Sequence, residues 1–326
     1  MNKSRRNCLL GALALPLIPS LPWQAAMAQQ PWPSRSIRLV NAWPAGSPPD
    51  TYARIYADRL TKALGVAVIV DNKPGAGGNI GTETVAKSAP DGYTLLYTVS
   101  NAFTVNPMLY RKLPFDAGKD LKPVAPILAQ GGFIVVNNDL PVKSMKELVD
   151  YAKQHPGKLA YASYDVGGFP HLMIELVKDT AKVNMLHIPY KSGPMTDVIS
   201  GQVQLMMEPA ASAIPMIKTG KVRAIAFSGP KRHARFPDVP TVAETYPGVI
   251  GWGWHGIWAP AGVPDEIVGR INAEVNRITQ SPDVAKQVVE LGSESIPGTT
   301  EAMAAMVRDD AKVWGNLIRA KNITIE

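Results

Sequence analysis

Short runs of β-branched and aliphatic residues recur along this 326-residue chain, with helix-forming segments between most of them. The runs at 36–40, 66–70, 94–99, 133–136, 158–162, 185–188, 203–207 and 222–227 have strand length and composition. Parallel neighbours in a sheet need a long crossover, usually a helix, so this βαβ rhythm predicts mostly parallel sheets flanked by helices. Between 52 and 64, Tyr52, Ile55, Tyr56, Leu60, Ala63 and Leu64 share one side of a helix, while Arg54, Asp58, Arg59 and Lys62 mostly face away. Gly65 stops it. Pro264-Asp265-Glu266 opens another helix, with Ile267, Ile271, Val275 and Ile278 as its stripe and Pro282 just past its end. A last helix is expected over 300–321, carrying Met303, Met306, Val307, Val313, Trp314, Leu317 and Ile318.

The chain opens with a segment that reads as an export signal. Lys3, Arg5 and Arg6 precede an apolar run from Cys8 to Leu21, and Ala26-Met27-Ala28 supplies a small-x-small cleavage site, so the mature protein is expected to begin near Gln29. At about 14 residues the run falls short of the roughly 20 that a spanning helix needs. The paired arginines fit ordinary and twin-arginine leaders alike, and the route stays open. Cys8 is the only cysteine and leaves with the leader, so neither a disulfide nor a thiolate metal site is open to the mature chain. Its stability has to come from its core. The leader holds three of the 34 Lys+Arg and none of the 27 Asp+Glu, which leaves 31 cations against 27 anions, a mild +4. Such an excess, spread along the chain with no dense basic cluster, argues against nucleic acid as a partner.

Three loops carry most of the remaining information. Residues 41–50, Asn-Ala-Trp-Pro-Ala-Gly-Ser-Pro-Pro-Asp, join the first strand to the first helix at the carboxyl edge, where loops and helix N-termini converge on ligands. Ser47 is placed to cap that helix, and Pro48 and Pro49 each delete a donor from its first turn. A tight connector would explain the same Gly and Pro content. Residues 72–81 suggest a dinucleotide loop, but Ile80 stands where its third glycine belongs, and no Lys-Ser/Thr pair follows. A turn feeding a helix near 80–87 explains it better. The third loop, 162–172, again joins a strand to a helix and offers amides at Val166, Gly167 and Gly168. His171 falls in the first turn of that helix, where an imidazole more often bonds backbone than ligand.

Templates for catalysis and metal binding are missing from the sequence. No serine lies in G-x-S-x-G, and His155, His171, His187, His233 and His255 show no metal spacing. Nothing in the spacing of Glu83, Asp165, Asp197 or Glu208 requires them to pair. An exported two-domain α/β chain without catalytic apparatus points to a solute receptor rather than an enzyme, with lobes that close on a ligand about a hinge. No cofactor or metal is expected.

An ordered series of motifs supports this reading. Trp32-Pro33, Trp43-Pro44-Ala45-Gly46 with Asp50, Asn72-Lys73-Pro74-Gly75-Ala76-Gly77-Gly78 and Pro90-Asp91-Gly92-Tyr93-Thr94-Leu95-Leu96 come first. Asn106-Pro107-Met108-Leu109-Tyr110, His187-Ile188-Pro189-Tyr190-Lys191, Gly220-Lys221-Val222-Arg223-Ala224 and Ala259-Pro260-Ala261-Gly262-Val263-Pro264 follow. From about Trp32 to its end the chain resembles the Bug family of periplasmic receptors, the binding components of tripartite tricarboxylate transporters. The resemblance implies a two-domain periplasmic binding protein, a Venus flytrap, whose cleft binds a small carboxylate largely through backbone amides and waters. It implies a first domain of 30–128 plus 255–326 and a second of 129–254, with crossings near 129–132 and 251–254. Membrane subunits of the transporter would be the partners, and the receptor is expected to be a monomer.

Loop position and family match together select the candidate ligand-binding residues. They are Trp43, Ala45, Gly46, Ser47 and Asp50 from the first loop, Ser100 and Asn101 past the third strand, and Ser163, Asp165, Val166, Gly167 and Gly168 from the third loop, together with Tyr190 and Glu208. Lys191 fits either a cleft cation or a surface residue, and the surface reading is preferred. The chain departs from the family pattern at Ser47-Pro48-Pro49, at Asp165 and Gly168, and at Glu208-Pro209, which fits a less anionic or more aromatic acid than a short dicarboxylate. Trp43, Tyr164 and Phe169 could wall such a ring, and core packing accounts for them equally well. A sensor for a signalling partner, or a hydrolase or lyase using unmarked carboxylates, would share much of this sequence pattern.

Overall fold

The computed structural model describes residues 31–190 and 192–325. The expected leader and Lys191 lie outside the described residues. In chain order the first stretch gives β1 (Ile37–Asn41), α1 (Pro48–Leu64), β2 (Val68–Asn72), α2 (Asn79–Ala86), β3 (Thr94–Val99), α3 (Asn101–Thr104), α4 (Asn106–Leu109) and β4 (Leu121–Gln130). The chain then passes through β5 (Gly132–Val136), α5 (Met145–Gln154), β6 (Ala160–Ser163), α6 (Phe169–Ala181), β7 (Leu186–Pro189), α7 (Pro194–Ser200), β8 (Leu205–Pro209), α8 (Ala210–Lys218), β9 (Arg223–Phe227) and α9 (Val242–Thr245). It ends with β10 (Gly253–Pro260), α10 (Asp265–Thr279), α11 (Pro282–Glu290), β11 (Glu294–Ser295) and α12 (Thr300–Lys321).

These elements build two sheets flanked by helices. One has six strands in the order β11-β4-β10-β3-β1-β2, and the other has five in the order β7-β6-β8-β5-β9. The α/β class agrees with the sequence reading, but both sheets are mixed rather than mostly parallel. The βαβ units supply the parallel pairs, β1 with β2 and β3, and β6 with β7 and β8. Antiparallel pairing enters through β4 and β10 in the first sheet and β5 in the second. β4 ends in one sheet at Gln130, and β5 begins in the other at Gly132.

β4, β10 and β11 are absent from the expected strands, and proline and glycine hid the two long ones. Pro123 and Pro126 break the reading of β4, and Gly253, Gly256 and Pro260 break that of β10. Their ladder slips register between His255 and Gly256 and again between Ile257 and Trp258, with Pro126 opposite Gly256 and Pro123 opposite Trp258. A bulge is where a residue without an N–H can sit inside a sheet. A side chain at Gly256 would strike Met303, so β10 also needs a glycine where α12 crosses it.

The helices fall close to their expected places. α1 ends at Gly65 with φ 72°, its N–H closing on the Thr61 carbonyl, and α12 covers the expected 300–321. Leu39, Tyr56, Leu95, Ile257 and Ile271 pack one face of the first sheet against α1 and α10, and Val40, Leu96, Trp254, Trp258 and Met303 fill the other. Ile134, Tyr161, Met173 and Leu205 lie in the core on one side of the second sheet, and Phe133, Met206, Ala213 and Phe227 on the other. A smaller cluster of Val105, Leu109, Leu172, Trp314, Leu317 and Ile318 joins α4, α6 and α12.

Candidate ligand cleft

A cavity of about 460 Å³ opens where strand ends from both sheets meet. Trp43, Ser47, Pro48, Pro49, Val99, Ser100 and Asn101 line it from the first sheet's loops. Tyr164, Asp165, Gly168, Phe169, Pro170, Glu208, Pro209, Ala211 and Ser212 face them from the second, and Gln130, Gly253, Trp254 and His255 close the back. Of the candidate residues, Trp43, Ser47, Ser100, Asn101, Asp165, Gly168 and Glu208 therefore share one cavity. Ala45, Gly46, Asp50, Ser163, Val166, Gly167 and Tyr190 are not among its lining.

The loop after β1 is held from within. Asp50 is buried, and its carboxylate accepts from the Gly46 amide at 2.9 Å, Arg54 Nε at 2.8 Å, Asn72 Nδ2 at 2.8 Å and Asn41 Nδ2 at 3.3 Å. Burial pushes this carboxyl up, but the hydrogen bonds from Arg54, Asn72 and Gly46 outweigh it and hold the group at about 2. Ser47 takes the cap position of α1, yet its hydroxyl donates to the Pro44 carbonyl at 2.6 Å and makes no cap hydrogen bond. The Gly46 donor thus points inward to Asp50 rather than into the cavity, while Ala45 lies exposed on the outside of the turn. Ser100 spends its amide on the Trp254 carbonyl at 2.8 Å, which ties β3 to β10 beneath the cleft.

The loop after β6 has a different construction. Ser163 is fully buried, and its hydroxyl lies 2.7 Å from both the Asp165 carbonyl and His187 Nε2. The Gly167 amide donates to His171 Nδ1 at 2.9 Å, which makes that nitrogen an unprotonated acceptor. His171 stacks on His187 with ring centroids 3.9 Å apart. Burial lowers both imidazoles to about 4, so both are neutral at pH 7. Below them, Tyr161 and Lys178 each donate to Glu175 at 2.5 Å. Val166 packs with the cluster around Leu109 and Trp314, and a side chain at Gly167, whose φ is 80°, would strike Leu109.

Two carboxylates remain in the cavity wall. Asp165 stays open to solvent across the cleft mouth, but the protein packed around it pushes its carboxyl above the ordinary range against one lowering contact, from the Gly168 amide. A Cβ at residue 168 would lie 1.8 Å from Asp165 Oδ1, so the aspartate and the glycine come as a pair. Glu208 is 1% exposed at the end of β8. Tyr164 Oη donates to both of its oxygens, at 3.0 and 2.9 Å, and the Ser212 hydroxyl donates to Oε1. Burial still pushes its carboxyl up. Tyr190 turns away, donating to Asp197 Oδ2 at 2.7 Å.

The back wall and parts of the rim were not among the candidates. His255 Nε2 lies 3.3 Å from the Gln130 side-chain amide, and its Nδ1 lies 2.8 Å from Tyr97 Oη. Complete burial lowers this imidazole to about 3 and keeps it neutral. Gln130 and His255 lie on β4 and β10, the two strands that the periodicity concealed. Ser212 lies in the first turn of α8, which starts at Ala210 right after the strand that carries Glu208, and that helix start is the signal that would have found it.

Residues 52–323 match the family described as "Tripartite tricarboxylate transporter family receptor". A UPF0065 protein of Bordetella bronchiseptica is 39% identical over 313 residues, 95% of this chain and 92% of its own. BugT of Bordetella pertussis is 34% identical over 301 residues, 90% of this chain and 92% of its own. Among solved structures, Rpa4515 of R. palustris with adipate has a TM-score of 0.79 at 31% identity and covers 90% of this chain and 99% of that one. These likenesses run through both sheets and the loops between them, and the chain belongs to the tripartite tricarboxylate transporter receptors, a family of solute-binding proteins that includes the Bug group.

Proposed function

We propose that the mature chain is a periplasmic receptor that captures a small organic carboxylate in the cleft between its two sheets and passes it to transporter subunits in the membrane. The observation that carries this reading is the convergence of loops on one cavity. The loops after β1, β3, β6 and β8 all reach it, and the first of them leads into α1, whose N-terminal end favours an anion. A strand-end crevice with helix N-termini around it is where open α/β sheets bind ligands. The related Rpa4515, solved with adipate, supports an organic acid as the ligand class.

The lobes divide at 129–132 and 251–254 and close about these glycine-containing crossings, so that closure rather than chemistry is the receptor's act. Domain 1 comprises 30–128 plus 255–326, and domain 2 comprises 129–254. The chain works as a monomer, is exported by its leader and releases its ligand unchanged. Calorimetric titration of the mature protein with a panel of aliphatic, aromatic and amino-substituted acids tests this, together with mass spectrometry of any co-purified ligand. Binding of one acid per chain, recovered unaltered, is the expected result. Failure of every acid to bind at millimolar concentration, or its conversion to product, would overturn the reading.

A further inference from the structure

Resting on the reading of the cleft as a carboxylate site, we infer that its ligand is an amino-carboxylate, an acid on an apolar body that also carries a protonated amine received by Glu208 and Asp165. The charges of the cavity are unequal on its two sides. The described lining contains both carboxylates on the side of the second sheet, none on the side of the first, and no Lys or Arg on either. His255 at the back is neutral and adds no positive charge.

Glu208 is the more constrained of the two. It is held by hydroxyls alone, since Tyr164 and Ser212 supply donors to its oxygens but no cation. A buried carboxylate with neutral donors keeps acceptor capacity and lacks a counter-charge. A purely anionic ligand would set like charges together in this wall, whereas an ammonium supplies the missing one. The ligand's own carboxylate then lies toward Ser100 and Asn101, where the lining has no acid. A zwitterion placed this way spans the cleft and contacts both lobes at once, which is what closure requires. Trp43, Phe169 and Trp254 supply apolar walls for its body, and aromatic faces tolerate a nearby cation.

Titration calorimetry on the mature protein with matched pairs tests the inference, using hexanoate against 6-aminohexanoate and phenylpropanoate against phenylalanine. The amino member of at least one pair is expected to bind tighter by about tenfold or more, the scale of one charge-assisted contact. Glu208→Gln, nearly isosteric, is expected to cut that preference to about threefold or less while keeping a cooperative melt. If Glu208→Gln does not fold, Asp165→Asn on the exposed rim and the wild-type pairs decide the question. Equal or tighter binding of the plain acid in every pair, or an unchanged preference in both variants, overturns the inference and leaves the receptor reading intact. Absence of binding by either member of any pair, and by every other acid tried, overturns both.

Discussion

Asp50 and Asp165 both belong to segments that lead from a strand into a helix, Asp50 buried in the first turn of α1 behind the cavity lining and Asp165 in the lining just past β6, and their surroundings have turned them to different uses. Asp50 is closed off by four donors, one of them a guanidinium, and is held at about 2. Asp165 has the Gly168 amide as its lowering contact, keeps solvent on one side and is pushed above the ordinary carboxylate range. A carboxylate becomes scaffold when neighbouring donors saturate it, and it stays available to a ligand when they do not. Residue type and loop position alone do not separate the two cases. What separates them is whether Arg54 and Asn72 can reach.

Removal of the saturated carboxylate is expected to have the largest effect. Asp50→Ala leaves the Gly46 amide and both asparagine amides short of an acceptor and the Arg54 charge unpaired, so a loss of about 3 kcal/mol is expected from urea denaturation at pH 7. A loss under about 1 kcal/mol would show that Asp50 is no more structural than a surface acid. Acid provides an independent check. The folded pKa lies below the unfolded one, so this stabilisation is complete above the unfolded value, near 4, and disappears as pH falls from there toward 2.

The other wall should fail in an earlier window. His171 is held neutral, its Nδ1 accepting from Gly167, and its pKa is lowered from 6.5 to about 4. Above 6.5 neither state carries the proton, and between 6.5 and 4 the unfolded chain binds it while the fold does not. Stability is therefore full at pH 7 and falls by about 3 kcal/mol by pH 4 on account of His171. His187 shifts in the same direction for the same cause. His171→Asn keeps an acceptor near Gly167 and cannot titrate, so its urea midpoint should change less between pH 7 and pH 4 than that of the wild type. Equal slopes in both proteins would remove His171 from the account.

Much of the architecture could be read from residue order, because hydrophobic period and caps are local signals. Gly65 stops α1 and Thr299 caps α12 by the same short-range geometry wherever they occur. The strands that bind the molecule together were harder to see. β4 and β10 carry prolines and glycines that look like breakers until the bulges in their shared ladder are known, and those depend on a partner more than a hundred residues away. The site divides along the same line. Trp43, Ser47, Asn101, Asp165 and Glu208 lie at or just past strand ends and could be placed from the sequence, whereas Gln130 and His255 reach the cavity from the concealed strands. The inward turn of the Gly46 amide and the saturation of Asp50 depend on Asn72, 22 residues later, and no motif announces that contact.

The smallest effect on stability is expected at Gly168. A methyl there would lie 1.8 Å from Asp165 Oδ1, and the far end of an exposed side chain can swing aside. Gly168→Ala should therefore cost only about 1 kcal/mol in urea, the worth of one amide contact to a partly hydrated carboxylate. Among the described residues no hydrogen bond or ion pair joins this loop to Asp50, so Asp50→Ala with Gly168→Ala should add to within about 0.5 kcal/mol. The consequence for binding runs the other way. Asp50 is saturated, so removing it disturbs the ligand only through the shape of its loop, while displacing Asp165 moves one of the two carboxylates in the described lining. Gly168→Ala should then weaken an amine-bearing ligand more than the corresponding plain acid in calorimetry, although it barely moves the melting curve. Equal weakening of both would mean that Asp165, like Asp50, serves the fold alone, and the contrast between the two walls would be lost.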